Sequence, residues 1–225
     1  MIDILITTCG RWTYLDRLAR SLLSRWKDFD DTRIVMVKNG TDGYRSPEID
    51  ELLHRCVSQV IHTQTRLSIG QVMSAFKGHH SLNPLFLKLD EDALLLSDDF
   101  DAHIRQIHAL KPDAIFSPFP TGLINNLGGP AACGKQFCEK GKMTDTFYTF
   151  RPVNHVGGFC RIMPSKYLSE IAFPSGHDED ALVSRWARGR GVLQFYMENA
   201  LAVEHQESTL GQHQRYGEEY FQGRF

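Results

Sequence analysis

Asp90, Glu91 and Asp92 follow directly on an apolar run, Leu85-Phe86-Leu87-Lys88-Leu89. The run reads as a buried strand, and strand interiors shed charge because an unpaired buried carboxylate is costly. Acids therefore collect at the strand end, where water or a cation reaches them; in an open α/β sheet that end is also where ligands bind. Three adjacent carboxylates repel one another unless something positive joins them, and hard oxygen ligands suit Mg²⁺ or Mn²⁺. A strand followed by a solvated acidic turn is the plainer reading. A second acidic group, Asp178-Glu179-Asp180, precedes Ala181-Leu182-Val183. A helix N-terminus there favours the anionic form of Asp180, as a general base requires. An ordinary acidic first turn accounts for the same residues, and Asp178, nearer the N-cap, fits that account better.

These groups need a scaffold, and the chain alternates strand and helix signals through its first half. Strands are predicted at 2–8, 34–37, 57–62 and 85–89. Helices are predicted from Thr13, as cap, to Trp26, around 47–55 with Pro47 in the first turn, and at 68–77 and 100–110. Alternation of this kind argues for a mostly parallel sheet covered by helices. A short strand at 114–117 follows, and then 118–152 is rich in Gly and Pro and loses its periodicity; a loop this long is usually functional or mobile. Strand 156–163, a short helix 165–171, helix 180–188 ended by Gly189 and Gly191, and strands 193–196 and 200–203 complete the pattern. The tail from Gln206 is polar with scattered aromatics. The fold class expected is α/β, a single domain over 1–225 in which a mostly parallel central sheet is joined by a smaller mixed sheet in the C-terminal half.

The composition agrees. A chain of 225 residues with 42% hydrophobic and 23% charged residues can bury a sizeable core. A net charge of −2 gives no reason to expect nucleic acid. No apolar run approaches the roughly 20 residues that span a bilayer. Met1–Ile6 reads as a first core strand, not a signal peptide. Cys9, Cys56, Cys133, Cys138 and Cys160 are odd in number and scattered, which favours reduced thiols in a cytoplasmic protein. Cys133 and Cys138, with His155 and Cys160, match no tight zinc spacing.

Several segments, in order, resemble the family-2 glycosyltransferases of GT-A fold. Ile4-Leu5-Ile6-Thr7-Thr8-Cys9-Gly10-Arg11 looks like the first strand and its nucleotide-facing loop, and Val35–Asp42 like the second strand and turn. Leu87–Asp92 is similar to the DxD segment. Gly157-Gly158-Phe159-Cys160-Arg161 with Glu179-Asp180-Ala181-Leu182 is similar to the glycine pair and catalytic Glu-Asp segment, and Val203-Glu204-His205 to the closing histidine. The resemblance covers about residues 2–207 and is carried by the order of the motifs, since each alone is weak. It implies a sugar transfer from a nucleotide diphosphate sugar, UDP-linked foremost, to a hydroxyl acceptor on a glycan, glycolipid or other molecule, with inversion by direct displacement. It implies Mn²⁺ or Mg²⁺ held by Asp92 and His205, with Asp90 on the ribose or the metal's water shell. Asp180 would be the base, Glu179 would bind acceptor hydroxyls, and Gly157 and Gly158 would let backbone approach the donor sugar. Thr7, Thr8, Arg11, Asn39, Asp42 and Glu91 complete the implied donor contacts.

The chain departs from the family at Lys38, where many members carry a base-reading acid, and it lacks the usual arginine-asparagine pair in the helix after Ser68. Asn39 or Asp42 is the substitute contact if the base is uracil. Arg66 is a further phosphate or base candidate. Trp186 is a sugar-stacking candidate, though core packing suits it as well. The division expected is a nucleotide-sugar half at 1–117 and an acceptor half at 118–205. A sugar nucleotidyltransferase shares the acidic metal site but wants a glycine-rich basic loop where Cys9-Gly10-Arg11-Trp12 stands. A binding module that has lost catalysis would not need both acidic groups.

Overall fold

The computed structural model describes residues 1–40, 44–79, 82–121, 143–144, 147–175 and 179–206. The elements are β1 (Ile2–Thr8), α1 (Trp12–Arg25), β2 (Thr32–Asn39), α2 (Pro47–His54), β3 (Val57–Thr63), α3 (Ile69–His79), β4 (Leu85–Asp90) and β5 (Ala93–Leu95). Then come α4 (Phe100–Leu110), β6 (Ile115–Thr121), β7 (Met143–Thr144), β8 (Thr149–Pro152), β9 (Cys160–Pro164), α5 (Lys166–Glu170), α6 (Glu179–Arg190) and β10 (Gln194–His205).

All seven residues of β1 are buried, because the sheet is covered on both faces. Side chains alternate between the faces. Ile4 and Ile6 of β1, Ile34 and Met36 of β2, and Leu87 and Leu89 of β4 form one core with α1, α2 and α4. Leu5, Val35, Val37 and Phe86 form the other with α3, α5 and α6. Each such large apolar side chain contributes about 1.5–3 kcal/mol on burial. The same alternation sets Lys88 and Asp90 on the face of Phe86, beneath α6.

The sheet runs β3-β2-β1-β4-β9-β6-β10-β8-β7, with β5 beside β10. The first four strands are parallel. Inserted between β4 and β6, β9 runs antiparallel to both. The mixed strands of the C-terminal half thus continue the central sheet. Strand order reverses at β1, with β2 on one side and β4 on the other. That switch point opens a crevice outside the carboxyl ends of β1 and β4.

Four boundaries differ from expectation, each for a local reason. Thr13 is not the cap of α1: the helix starts at Trp12 after Arg11, since Gly10 at φ 103 turns the chain early. Proline does not stop β6, which continues through Pro118 and Pro120 because its ladder with β9 reaches only Phe116. The two late strands are one, β10, with a register shift between Met197 and Ala202 where Ala200 takes φ 67. The strand expected from Val156 begins at Cys160, because Val156–Phe159 forms the loop holding the glycine pair.

Candidate functional site

Two acidic clusters lie on either side of the β4 end. In the first, Arg11 at the start of α1 reaches back to the turn after β4. Its Nε donates to Glu91 Oε1 and its Nη1 to Asp92 Oδ2, each at 2.6 Å. Glu91 also accepts from the Thr8 hydroxyl, from the Cys9 backbone N–H at 3.2 Å and from Cys9 Sγ at 3.2 Å. That environment, with burial first, pushes the Cys9 thiol up to about 11, so it is not a nucleophile at neutral pH. Glu91 is thus spent on fastening the β1 loop.

Asp92 differs. Its backbone carbonyl accepts from Gln206 N at 2.8 Å, which ties the turn to the end of β10. His205 Nε2 lies 3.6 Å from Asp92 Oδ2, an ion-pair separation that is too long for a hydrogen bond. Asp92 Oδ1 and His205 Nδ1 are buried with no hydrogen-bond partner, as is the Thr7 hydroxyl. Buried polar atoms are nearly always satisfied, so Asp92 Oδ1 and His205 Nδ1 mark a place prepared for a ligand. Burial pushes the Asp92 carboxyl up, while His205 and Arg11 pull it back. A carboxylate oxygen suits a hard divalent cation such as Mn²⁺, and an imidazole nitrogen is a common metal ligand. Among the described residues no three His, Cys, Asp or Glu side chains form a group that could hold a metal ion.

The second cluster is closed. Arg161 of β9, fully buried, donates Nη2 to Glu179 Oε2 at 2.5 Å and Nη1 to Asp180 Oδ1 at 2.9 Å. Gly158 N donates to Asp180 Oδ2 at 2.7 Å. Lys88 Nζ reaches Asp90 Oδ1, Glu179 Oε1 and Gly158 O, each at 2.8 Å. Three carboxylates face two cations. Burial opposes ionisation of Glu179, but Arg161 and Lys88 outweigh it and hold its carboxyl well below the usual range. Asp180 keeps 26% of its side-chain surface exposed and is pushed well above its ordinary value, by burial first and then by the charge on Glu179. Of the pair, Asp180 is the member whose carboxyl is raised.

The structure gathers Thr8, Arg11, Glu91, Asp92 and His205 on one side, and Asp90, Gly158, Glu179 and Asp180 on the other. Asn39 joins neither: its Oδ1 accepts from Leu67 N at 2.7 Å and its Nδ2 donates to Leu67 O at 2.8 Å. Both ends of its amide are thus spent on the loop before α3. Asp42 and Asp178 lie outside the described residues, as do Cys133 and Cys138. Of the other two zinc candidates, Cys160 is fully buried, which pushes its thiol far up, and His155 Nδ1 lies 2.9 Å from Ser184 Oγ. Arg66 is exposed, and its backbone sets the limit at Gly40, where φ is 68 and a Cβ would stand 2.8 Å from Arg66 N. Trp186 packs on Tyr167 with ring centroids 4.8 Å apart. The glycine pair is asymmetric. Gly157 donates to Tyr196 Oη at 3.0 Å and has ordinary room, whereas a Cβ on Gly158 would stand 2.1 Å from an Asp180 oxygen. Gly158 is required by this chain's own carboxylates.

Lys88 and Arg161 are the residues that motif reading passed over. One signal was available: a lysine in the middle of an apolar strand demands buried acids.

No protein-family profile matches the chain, and no curated protein matches it. Solved structures do. A GalNAc-T7 structure with UDP, GalNAc and Mn²⁺ aligns at TM-score 0.67 and 13% identity, covering 94% of this chain and 44% of that one. A Pyrobaculum calidifontis mannosyltransferase, PcManGT, with GDP-Man and Mn²⁺ aligns at 0.68 and 10%, covering 95% and 59%. S. aureus TarS, residues 1–349, with UDP-GlcNAc aligns at 0.62 and 12%, covering 92% and 58%. The chain therefore spans about half the length of these proteins. At such identities the likeness speaks for the fold, and the fold of this chain is that of the GT-A glycosyltransferases.

Proposed function

We propose that this protein is a metal-dependent glycosyltransferase that moves a sugar from a nucleotide diphosphate donor, UDP-linked foremost, to a hydroxyl of a glycan, glycolipid or other acceptor, with inversion. The observation that carries the reading is the unpartnered pair Asp92 Oδ1 and His205 Nδ1 at the β1/β4 switch point, beside a second cluster in which Arg161 and Gly158 N hold Asp180. The solved structures of like fold with UDP or GDP-Man and Mn²⁺ support it.

Asp92 and His205 would hold a divalent cation together with the donor diphosphate. Such a cation, when bound, neutralises the charge that develops on the leaving nucleotide. Arg11, already beside Asp92, offers a guanidinium to the same phosphates. Residues 1–117 form the donor half, in which Asp90 faces the ribose side. Asp180 takes the proton from the attacking hydroxyl at an oxygen released from Arg161 or Gly158 N, and Glu179 keeps the neighbouring position anionic. Direct displacement by a hydroxyl activated in this way inverts the anomeric carbon.

The test is nucleotide release from UDP-, GDP-, CMP- and dTDP-sugars with Mn²⁺, with Mg²⁺ and with chelator. Metal-dependent release from one donor is expected. Asp92→Ala should abolish it, and Asp180→Asn should lower transfer about 10²–10⁴-fold while leaving donor binding intact. Silence across the panel with no thermal shift by any nucleotide overturns the reading in favour of a binding module, and full turnover by Asp180→Asn overturns the base assignment. Release of pyrophosphate from a nucleoside triphosphate and a sugar phosphate would identify a nucleotidyltransferase instead.

A further inference from the structure

We infer that Lys88 is a positioning residue, a buried ammonium that fixes the donor-side acid Asp90 relative to the Glu179–Asp180 segment; the inference rests on the reading of Asp180 as base. Lys88 is 2% exposed, and its three acceptors, Asp90 Oδ1, Glu179 Oε1 and Gly158 O, each stand at 2.8 Å. An ammonium has three hydrogens, so each is spent, and each partner comes from a different segment: the β4 end, the start of α6 and the glycine loop.

Two routes lead from Lys88 to Asp180 without direct contact. Glu179 shares its other oxygen with Arg161, which grips Asp180 Oδ1. The Gly158 residue accepts from Lys88 through its carbonyl and donates to Asp180 Oδ2 through its N–H. Asp180 Oδ2 is thereby placed by a residue that Lys88 holds, and Oδ1 by Arg161, which meets Lys88 through Glu179.

The arrangement is a costly way to build a strut. Lys88 stands directly opposite Arg161 in the β4–β9 ladder, and like charges across a ladder repel. Apolar residues in place of the two cations and their carboxylates together would pack there at least as well, since replacing whole buried ion pairs with hydrophobes is often neutral or stabilising. The ladder position keeps its cations because they set where the helix acids stand.

The test compares wild type, Lys88→Met, Glu179→Gln and the double variant, with donor KM, kcat and thermal unfolding measured for each. A misplaced base costs rate, so Lys88→Met should lower kcat about 10²-fold, a larger factor than the rise in donor KM that comes through Asp90. If Lys88 acts through Glu179, the double variant should fall no further than the worse single one. Unchanged kcat in Lys88→Met, or losses that multiply in the double variant, would overturn the inference. If Lys88→Met does not fold, Glu179→Gln decides alone: it keeps the shape but can accept from only one of the two cations, and retention of full kcat by it counts against the coupling. Asp180→Asn runs beside these. Its full activity would topple the base reading itself, whereas an inactive Asp180→Asn with a fully active Lys88→Met topples only the role of Lys88.

Discussion

The two acidic clusters lie a few residues apart in sequence at Asp90 and Asp92, yet their chemistry differs. Around Asp92 one guanidinium and one imidazole meet two carboxylates, and Asp92 Oδ1 and His205 Nδ1 are left over. Around Glu179 two buried cations meet three carboxylates, and every ammonium hydrogen of Lys88 has a place to go. The first cluster is incomplete, as a ligand site must be. In the second, the carboxylates of Glu179 and Asp180 are held by Lys88, Arg161 and Gly158 N, and the atom left over is a donor, Arg161 Nε. The pairing teaches that an acidic motif is read by what it lacks: unspent oxygens call for a ligand, and spent ones position a side chain.

The largest expected effect separates the clusters by stability. Arg161→Met leaves Glu179 buried with half its partners, and losing one member of a buried pair costs about 3–5 kcal/mol. Chemical denaturation should show that loss unchanged by Mn²⁺. Arg11→Gln also removes a cation, but beside ligand atoms left unspent, so its loss should be partly restored by Mn²⁺ with UDP or GDP. Equal, metal-insensitive losses in both would erase the distinction.

Gly158→Ala probes the closed cluster through its tightest contact. Because the added Cβ would meet the Asp180 and Glu179 carboxylates, the acids must shift, and a displacement of about 1 Å costs turnover about 10²-fold. Gly157→Ala, with ordinary room, should keep most of the activity. Steady-state assays on both variants settle it, and equal activities would break the asymmetry.

The smallest effect is in the pH dependence of stability. A carboxyl raised on folding holds its proton to higher pH in the folded state than in the unfolded one. Asp180 therefore lowers stability as pH rises from its ordinary value of 3.8 through its folded one. Glu179, depressed on folding, contributes fully above its ordinary 4.5 and loses that contribution as pH falls below it. Asp180→Asn should thus unfold at a higher temperature than wild type at pH 8, with the gap narrowing toward pH 4. A pH-independent gap would mean that the proton sits elsewhere.

Much of this site was legible in the residues themselves. The alternation of Leu85, Leu87 and Leu89 and the acids that follow mark a strand ending in a ligand crevice, because burying charge is costly and side chains alternate with period two. The first strand, the α4 helix and the α/β class follow from periodicity in the same way. Asn39 shows the limit: its type suits a base contact, but Leu67 takes both ends of its amide. Ser46, by contrast, announces its helix locally, accepting from Ile49 N at 3.2 Å ahead of Pro47.

The sequence by itself determined which residues are apolar, where charge interrupts them and in what order the acids come, since these are properties of neighbours along the chain. Only the tertiary structure decided that β9 enters the sheet between β4 and β6. That insertion sets Arg161 opposite Lys88 and brings residues about ninety positions apart within hydrogen-bond reach, so that Glu179 is spent while Asp92 is left open. Hydrogen bonds act over about 3 Å in space, whatever the separation in sequence.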